Sequence, residues 1–192
     1  MEIREKILNA ATELYAETGF RGATTRQIAQ RAGVNEVTVF RHFGSKTALL
    51  HEAIRCACAT SERPVLPEVP GDPRAELMAW ARTHWEELWA RRSVIRTAMG
   101  EIEEHPELLP KEESATACAG RQLAKYIGRL REAGLAKAAF ETPAAAMMLM
   151  GSLFADAMSR DVMPFAYRLE PDQAIREYVD LFIRAIGADA AP

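Results

Sequence analysis

The sequence predicts an all-α fold of about nine helices, with an N-terminal head followed by a larger helical domain. Three observations predict this fold. Apolar residues recur three and four positions apart, which places them on one face of a helix. Alternating strand patterns and Asn-Gly or Asp-Gly hairpin turns are absent from the 192 residues. Glycine and proline fall between the periodic segments, where helices end and begin.

The first two helices are predicted from an apolar stripe and a capping motif. Gly19 follows the apolar stripe and is predicted to end the first helix, because glycine readily adopts the left-handed conformation that closes a helix. The stripe consists of Ile3, Ile7, Leu8, Ala11, Leu14 and Tyr15. A second helix begins at Thr24, which forms a capping box with Gln27, and Gly33 ends that helix.

A third short helix completes the three-helix head, and a fourth helix follows it. Asn35 is a good N-cap for the third helix, since its side chain can accept a hydrogen bond from a free backbone N–H. Gly44 ends the third helix and Ser45 caps the fourth. The fourth helix carries the apolar residues Leu49, Leu50, Ala53, Ile54 and Ala57.

A proline-rich break follows the fourth helix. Residues 63–73 hold four prolines and one glycine, a composition that a helix does not accommodate. We expect a surface connection here, inside a second domain of residues 56–192 that follows a head of residues 1–55. The second domain is predicted to contain helices from Pro73 to about Trp89 and over residues 93–104, 111–133, 143–160 and 171–187.

The composition is that of an ordinary globular protein, with 48% hydrophobic and 27% charged residues. No apolar run reaches the roughly 18 residues of a membrane span. The mixed charge at the N-terminus is not that of a signal peptide, so we expect a cytoplasmic protein with no membrane contact. Cys56, Cys58 and Cys118 do not form a disulfide framework or a good metal clamp, and a redox or metal sensor is the alternative. We expect no metal and no cofactor.

The head is slightly basic and the remainder is acidic. Residues 1–55 carry eight Lys or Arg against six Asp or Glu, in a chain whose net charge is −3. This modest asymmetry is typical of a protein whose head alone contacts a polyanion.

Residues 24–46 predict a helix-turn-helix, because two short helices join there through a tight turn at Gly33. Apolar positions between the helices make a small core, and the polar residues left over face outward. A helix of this size fits the major groove of B-DNA. The outward residues are Arg26, Asn35, Glu36, Thr38, Arg41 and His42. The alternative is a solvated hairpin that binds nothing, but it does not explain why Thr, Ser and Lys cluster at helix N-termini, which are natural phosphate sites.

The head resembles the DNA-binding domain of the tetracycline-repressor (TetR) family over about residues 4–55. The matching motifs are Gly19-Phe20, Thr24-Thr25, Ile28-Ala29, Ala32-Gly33-Val34, Thr38, Phe40, His42-Phe43 and Ser45-Lys46. Residues 56–192 match the family only in general plan. The resemblance implies a regulator, usually a repressor and not an enzyme, that binds a palindromic double-stranded DNA operator as a homodimer. It also implies release by an unidentified small effector, which we expect to be mainly hydrophobic.

The resemblance assigns DNA contacts to individual residues. Positions that reach bases correspond to Arg26, Glu36, Val37 and Thr38, and phosphate contacts correspond to Thr25, His42 and Lys46. Guanine is the natural bidentate partner of an arginine in the major groove.

Three positions depart from the family pattern. Phe40 replaces a common tyrosine and loses its phosphate-binding hydroxyl, for which the charge of Arg41 is a candidate replacement. Val37 replaces a common glycine, which widens the approach to DNA or makes it more apolar. Glu36 faces DNA as an acid, which costs affinity unless it accepts from a cytosine N4 amine. The alternative for Glu36 is a solvated or arginine-paired side chain.

The last two predicted helices are expected to form the dimer interface. Two such helices from each chain would make a four-helix contact. The residues assigned to it are Gly151, Ala155, Ile175, Tyr178, Val179, Phe182 and Ile186. Burial within one chain is the alternative, and the family resemblance favours the dimer.

Large, adaptable side chains in the second domain predict an effector pocket, since ligand sites are mostly apolar with a few polar groups. The candidates are Trp80, His84, Trp85, Trp89, Met99, Tyr126, Met147, Met150 and Phe154. Ordinary core packing is the alternative for all of them.

An enzyme and a helical adaptor are the rival classes of function. Sequence motifs of hydrolases, zinc proteases and nucleotide-binding enzymes are absent. A run of carboxylates with His105, made of Glu101, Glu103 and Glu104, is interpreted as the solvated end of a helix before Pro106.

Overall fold

A computed structural model describes residues 2–57, 65–106 and 114–188. Within these residues the chain is all-α, as predicted, and contains eight helices and no strand. The helices are α1 (Ile3–Gly22), α2 (Thr25–Ala32), α3 (Glu36–Phe43), α4 (Lys46–Ala57), α5 (Pro73–Gly100), α6 (Ala115–Glu132), α7 (Thr142–Ser159) and α8 (Pro171–Ala185). None of the helices in this part of the chain is long and apolar enough to cross a membrane.

The helix count is lower than predicted because two predicted helices are one. Helix α5 runs without a break through the point where the sequence predicted a gap, near residues 90–92. Those residues are Ala90, Arg91 and Arg92, which are good helix formers, and they include neither glycine nor proline. The residues predicted to begin the next helix, 111–113, lie outside the described residues, as do Cys58 and residues 63 and 64 of the connection.

The local signals that begin and end helices were predicted correctly at most positions. Gly33, Gly44 and Gly134 all have positive φ where helices α2, α3 and α6 end. Gly19 interrupts α1 with φ 69°, and a further helical turn continues to Gly22. Pro171 lies in the first turn of α8.

The chain divides into two compact units. The first contains α1 to α4 together with α5 from Arg91 onward, and the second contains the earlier part of α5 and helices α6 to α8. The division into functional domains at residue 55 stays a prediction.

The first unit has a core contributed by every helix in it. Ile7, Ala11 and Tyr15 of α1 are fully buried and pack with residues of α2, α3 and α4. Val94 of α5 belongs to the same cluster. The remaining members include Leu14, Ile28, Ala29, Val39, Leu49, Leu50 and Ala53. Burial of each large aliphatic side chain contributes roughly 1.5–3 kcal/mol, so this core holds the short helices α2 and α3 in place.

The second unit is organised around one buried carboxylate. Asp156 of α7 is fully buried. It accepts hydrogen bonds from the indole N–H of Trp85 at 2.8 Å and the hydroxyl of Tyr178 at 2.8 Å. The guanidinium of Arg160 donates to both carboxylate oxygens, at 2.9 and 2.7 Å. A buried charge is tolerated only when its hydrogen bonds are made. The hydrogen bonds to Asp156 come from α5, α8 and the end of α7, so they join these three helices.

Candidate nucleic-acid interface

The N-terminus of α2 is fixed by the predicted capping box. The hydroxyl of Thr24 accepts from the backbone N–H of Gln27, and the Gln27 side chain accepts from the N–H of Thr24, both at 3.3 Å. At the other end, Gly33 has φ 67° and its N–H bonds back to carbonyls of α2. Both ends of the helix are therefore set by chemistry within the motif.

Helix α3 begins at Glu36 and is capped by Asn35, as predicted. The Asn35 side chain accepts from the N–H of Val37 at 2.9 Å. Only Val39 of this helix is buried. Val37 is 73% exposed and Phe40 is 46% exposed. Arg41 and His42 are exposed as well, so one whole side of α3 is open to a partner.

A hydrogen bond that the sequence did not predict joins α2 to α3. The hydroxyl of Thr25 donates to the carboxylate of Glu36 at 2.6 Å. The proton that Thr25 was predicted to offer a phosphate is therefore already used within the motif. The same bond fixes the carboxylate of Glu36 between the first turns of both helices.

Lys46 has a role that the sequence did not predict. Its ammonium group donates to the backbone carbonyl of Arg21 at 3.2 Å and lies 5.3 Å from the centre of the Phe20 ring. Ser45 caps α4 by accepting from the N–H of Ala48 at 3.1 Å. An ammonium group has three donors, so Lys46 can still bind a phosphate while it holds α4 to the end of α1.

The cations of the first unit fall into a paired and an unpaired group. Arg31 makes two hydrogen bonds to Glu17, at 2.8 and 2.9 Å. The hydrogen bonds from Arg31 hold the pKa of Glu17 below its usual value. Among the described residues Arg26 and Arg41 have no ion-pair partner, and both are exposed. Arg26 lies in the first turn of α2 and Arg41 lies on α3 itself, so a polyanion that contacts the helix-turn-helix would neutralise both charges.

The acidic residues at the end of α5 differ from their predicted role. The sequence interpretation was a solvated helix end, and Glu103 and Glu104 are indeed exposed. Glu101, however, is half-buried and its carboxylate accepts the backbone N–H of Phe20 at 2.8 Å. A bond between residues 81 positions apart gives no local signal in the sequence.

The residues predicted to line an effector pocket differ in burial, and the pocket itself stays a prediction. Trp80, His84, Trp85, Tyr126 and Met150 are buried, while Trp89 and Phe154 are half-buried. Two ring pairs stack along α5, Trp80 on His84 at 5.1 Å and Trp85 on Trp89 at 5.3 Å.

Two of the predicted pocket residues do not join this buried set. Met99 and Met147 are 53% and 66% exposed, and Met99 belongs to the first unit. A cleft of about 530 Å³ lies in the first unit instead. It is lined by Phe20, Arg21, Lys46, Glu104 and His105.

Most of the apolar stripe predicted to form the dimer interface is buried in its own chain. Ile175, Val179, Phe182 and Ile186 are at most 1% exposed, because α8 packs on its neighbours within the second unit. This burial favours the alternative of packing within one chain, and the assignment of these four residues to a dimer interface stays a prediction. Tyr178 is half-buried and bonds to Asp156.

An apolar surface remains on the outer side of α7. Gly151 and Ala155 are exposed there, as the interface prediction requires. Met147 and Met148 are 66% and 48% exposed on the same helix, and Leu181 of α8 is 56% exposed.

Residues 2–57, 65–106 and 114–188 contain no cluster of His, Cys, Asp and Glu that could hold a metal ion.

Comparisons with known proteins identify relatives of this chain. Residues 7–53 match the family described as "Bacterial regulatory proteins, tetR family". An uncharacterized HTH-type transcriptional regulator, YvkB of Bacillus subtilis (strain 168), is 26% identical over 96% of this chain and 97% of its own length. The class A tetracycline repressor from transposon 1721, of Escherichia coli, is 33% identical over 49% of this chain, which spans 44% of that repressor.

A solved structure shares the whole fold. A TetR transcriptional regulator from Agrobacterium tumefaciens superposes with a TM-score of 0.76 over 95% of this chain and 92% of its own. At 19% identity this similarity speaks for the fold alone.

Proposed function

We infer that this chain is a transcriptional regulator of the TetR family. It represses transcription by binding a palindromic DNA operator as a homodimer, and it is released by a small, mainly hydrophobic effector. The match of residues 7–53 to the tetR family and the similarity to YvkB support a DNA-binding regulator rather than an enzyme. A regulator of chromosomal genes acts in the cytoplasm, which is where we place it.

The observation that carries the proposal is the open side of α3. Its exposed residues project from a helix whose only buried side chain is Val39. Arg41 on α3 and Arg26 in the first turn of α2 are exposed and have no ion-pair partner among the described residues. An exposed polar helix with free cations is suited to the major groove, where arginine reads guanine in a bidentate contact.

The roles of individual residues follow from their positions. Arg26 and Thr38 read bases, and Arg41, His42 and Lys46 contact phosphates. Glu36 is held by Thr25 at 2.6 Å and selects for a cytosine, whose N4 amine can donate to it. Thr25 contacts phosphate through a bridging water, which donates one O–H to the hydroxyl oxygen of Thr25 and the other to a phosphate oxygen, since the proton of Thr25 is donated to Glu36.

The outer side of α7 supports the homodimer. Met147, Met148 and Leu181 are large exposed apolar side chains, and the small exposed residues Gly151 and Ala155 on α7 permit close approach of a second helix. The partner we propose is a second copy of α7 with its α8. Dimerisation doubles the number of phosphate contacts and requires two half-sites related by the two-fold axis of the protein.

The buried aromatic residues of α5 and α6 support an effector site in the second unit. Trp80, Trp85 and Tyr126 offer flat apolar surface, and His84 adds a polar group among them. An effector that binds there shifts the operator equilibrium only if it prefers the form of the dimer that does not bind DNA.

Selection of random duplex DNA on the purified protein at two salt concentrations tests the function. We expect one palindrome to be enriched, with affinity that falls steeply as salt rises. Binding without sequence preference would reject the proposed function. A selected site that lacks two-fold symmetry would reject the homodimer. An adaptor protein would enrich no duplex at all.

A further inference from the structure

The acidic segment after α5, residues 101–105, packs on the last turn of α1, which begins at the break at Gly19 and leads into α2. Both belong to the first unit. The carboxylate of Glu101 accepts the backbone N–H of Phe20 at 2.8 Å. The ring of His105 lies over the ring of Phe20, with centroids 4.0 Å apart. Arg21 and Glu104 form an exposed ion pair at 3.0 Å.

The backbone at this turn is shaped to receive the carboxylate. Gly19 has φ +69°, a conformation that other residues adopt only with strain. A Cβ atom at Gly19 would lie 2.5 Å from the Oε1 atom of Glu101. Glycine is therefore required for the direction of the chain and also for the close approach of Glu101.

The carboxylate sits in a costly position. Its second oxygen, Oε2, is buried and has no hydrogen-bond partner. A buried acceptor left without a hydrogen bond lowers stability, so stability alone does not favour an acid at this position. What the carboxylate of Glu101 does here is accept the hydrogen bond from the backbone N–H of Phe20.

The turn held by Glu101 ends where the DNA-contacting part of the motif begins. The carbonyl of Gly19 accepts the N–H of Ala23 at 3.1 Å, and Ala23 is fully buried. Thr24, the cap of α2, is the next residue. From the other side Lys46 donates to the carbonyl of Arg21 at 3.2 Å and lies over the ring of Phe20. The positions of Thr24, Thr25 and Arg26 therefore depend on this turn.

We propose that Glu101 is a positioning residue for operator binding, which fixes the turn at Gly19 and Phe20 and so sets where the N-terminus of α2 meets the DNA backbone. The inference rests on the proposed DNA-binding function. It adds to the residues that determine DNA binding one that lies far along the chain and acts through the turn at Gly19 and Phe20.

The sign of the charge effect separates this role from simple electrostatics. Removal of an acid from a DNA-binding unit reduces repulsion of phosphate and strengthens binding. Loss of a positioning contact weakens binding. Glu101→Ala should therefore weaken operator binding by about tenfold, although it makes the protein less acidic. Glu103→Ala is the matched control, because Glu103 is exposed in the same segment and makes no contact that the structure describes. It should bind equally well or more tightly.

Two conservative variants complete the set. Glu101→Gln retains an oxygen that can accept the N–H of Phe20 and should bind within about threefold of wild type. Glu101→Asp retains the charge but withdraws the acceptor by one methylene, so it should weaken binding as Glu101→Ala does. If Glu101→Ala does not fold, the comparison of Asp with Gln still decides the question.

The measurement is fluorescence anisotropy with the selected operator, together with NMR hydrogen exchange of the Phe20 amide. We expect the weakly binding variants, and only those, to lose protection at Phe20 while the core amides stay protected. If Glu101→Ala binds as tightly as Glu103→Ala, the positioning role is rejected and the DNA-binding function stands. If wild type binds no duplex DNA, the proposed function fails and this inference fails with it.

Discussion

Helices α3 and α8 are both amphipathic, but their surfaces are used in opposite ways. Helix α3 buries only Val39 and leaves Val37 and Phe40 exposed beside unpaired cations. Helix α8 buries Ala174, Ile175, Val179, Phe182 and Ile183 within its own unit. The apolar stripe of a short helix goes first to the core of its own chain, because that burial stabilises the fold before any partner is present. The surface available for function is what remains.

The largest expected effect contrasts two neighbouring residues of α8. Phe182→Ala should destabilise the fold by about 3–5 kcal/mol, since Phe182 is 1% exposed and its removal leaves a cavity. Leu181→Ala should change the stability of the monomer by less than about 0.5 kcal/mol, since Leu181 is 56% exposed. Chemical denaturation measures both.

Sedimentation of the same two variants decides which surface meets the partner. We expect Leu181→Ala to weaken the dimer about tenfold. If Phe182→Ala instead stays as stable as wild type and becomes monomeric, the buried stripe is the interface and the contrast between α3 and α8 disappears.

A second prediction sharpens the assignment of the open side of α3. Arg26→Ala should weaken operator binding by about 1–3 kcal/mol and relax preference at one base position, because the exposed guanidinium is expected to read guanine. Gln30→Ala is the control, since Gln30 is also exposed on α2 but lies one turn further from its N-terminus. Anisotropy titrations with single-base operator variants measure the change. Equal losses at every base would show that Arg26 binds phosphate only.

The smallest effect concerns the tyrosine that joins α8 to α7. Burial, followed by the hydrogen bond to Asp156, raises the pKa of Tyr178. The folded state therefore keeps its proton at a pH where the unfolded state loses it. The stability that this provides is complete below about pH 10 and declines as pH rises above that value, by about 1.4 kcal/mol per pH unit for each such group.

Tyr178→Phe should remove the contribution of one tyrosine from the decline of unfolding free energy with pH. Urea denaturation between about pH 9 and 11 measures this decline. Tyr126→Phe provides a matched comparison, because burial and the hydrogen bond to Glu76 also raise the pKa of Tyr126. An unchanged slope in both variants would mean that neither tyrosine keeps its proton in the fold.

Local chemistry explains which features of the motif could be predicted from sequence. The capping box of Thr24 and Gln27 and the left-handed turn at Gly33 involve residues close in the chain, and both are present as predicted. The break predicted within α5 was wrong, because periodicity alone does not distinguish one long helix from two collinear ones when no glycine or proline intervenes. The acceptor role of Glu101 was missed for a different reason, since its partner Phe20 is 81 positions away.

The sequence by itself determined the all-α class, the bounds of α2 and α3, and the family motif, because caps, turns and helical spacing act within a few residues. The tertiary structure alone decided the rest. It directed the stripe of α8 inward and left α7 as the outer apolar surface. It also brought Thr25 to Glu36 and Glu101 to Phe20. An apolar stripe specifies that one face of a helix will be buried. Only the packing of neighbouring helices specifies which residues cover that face.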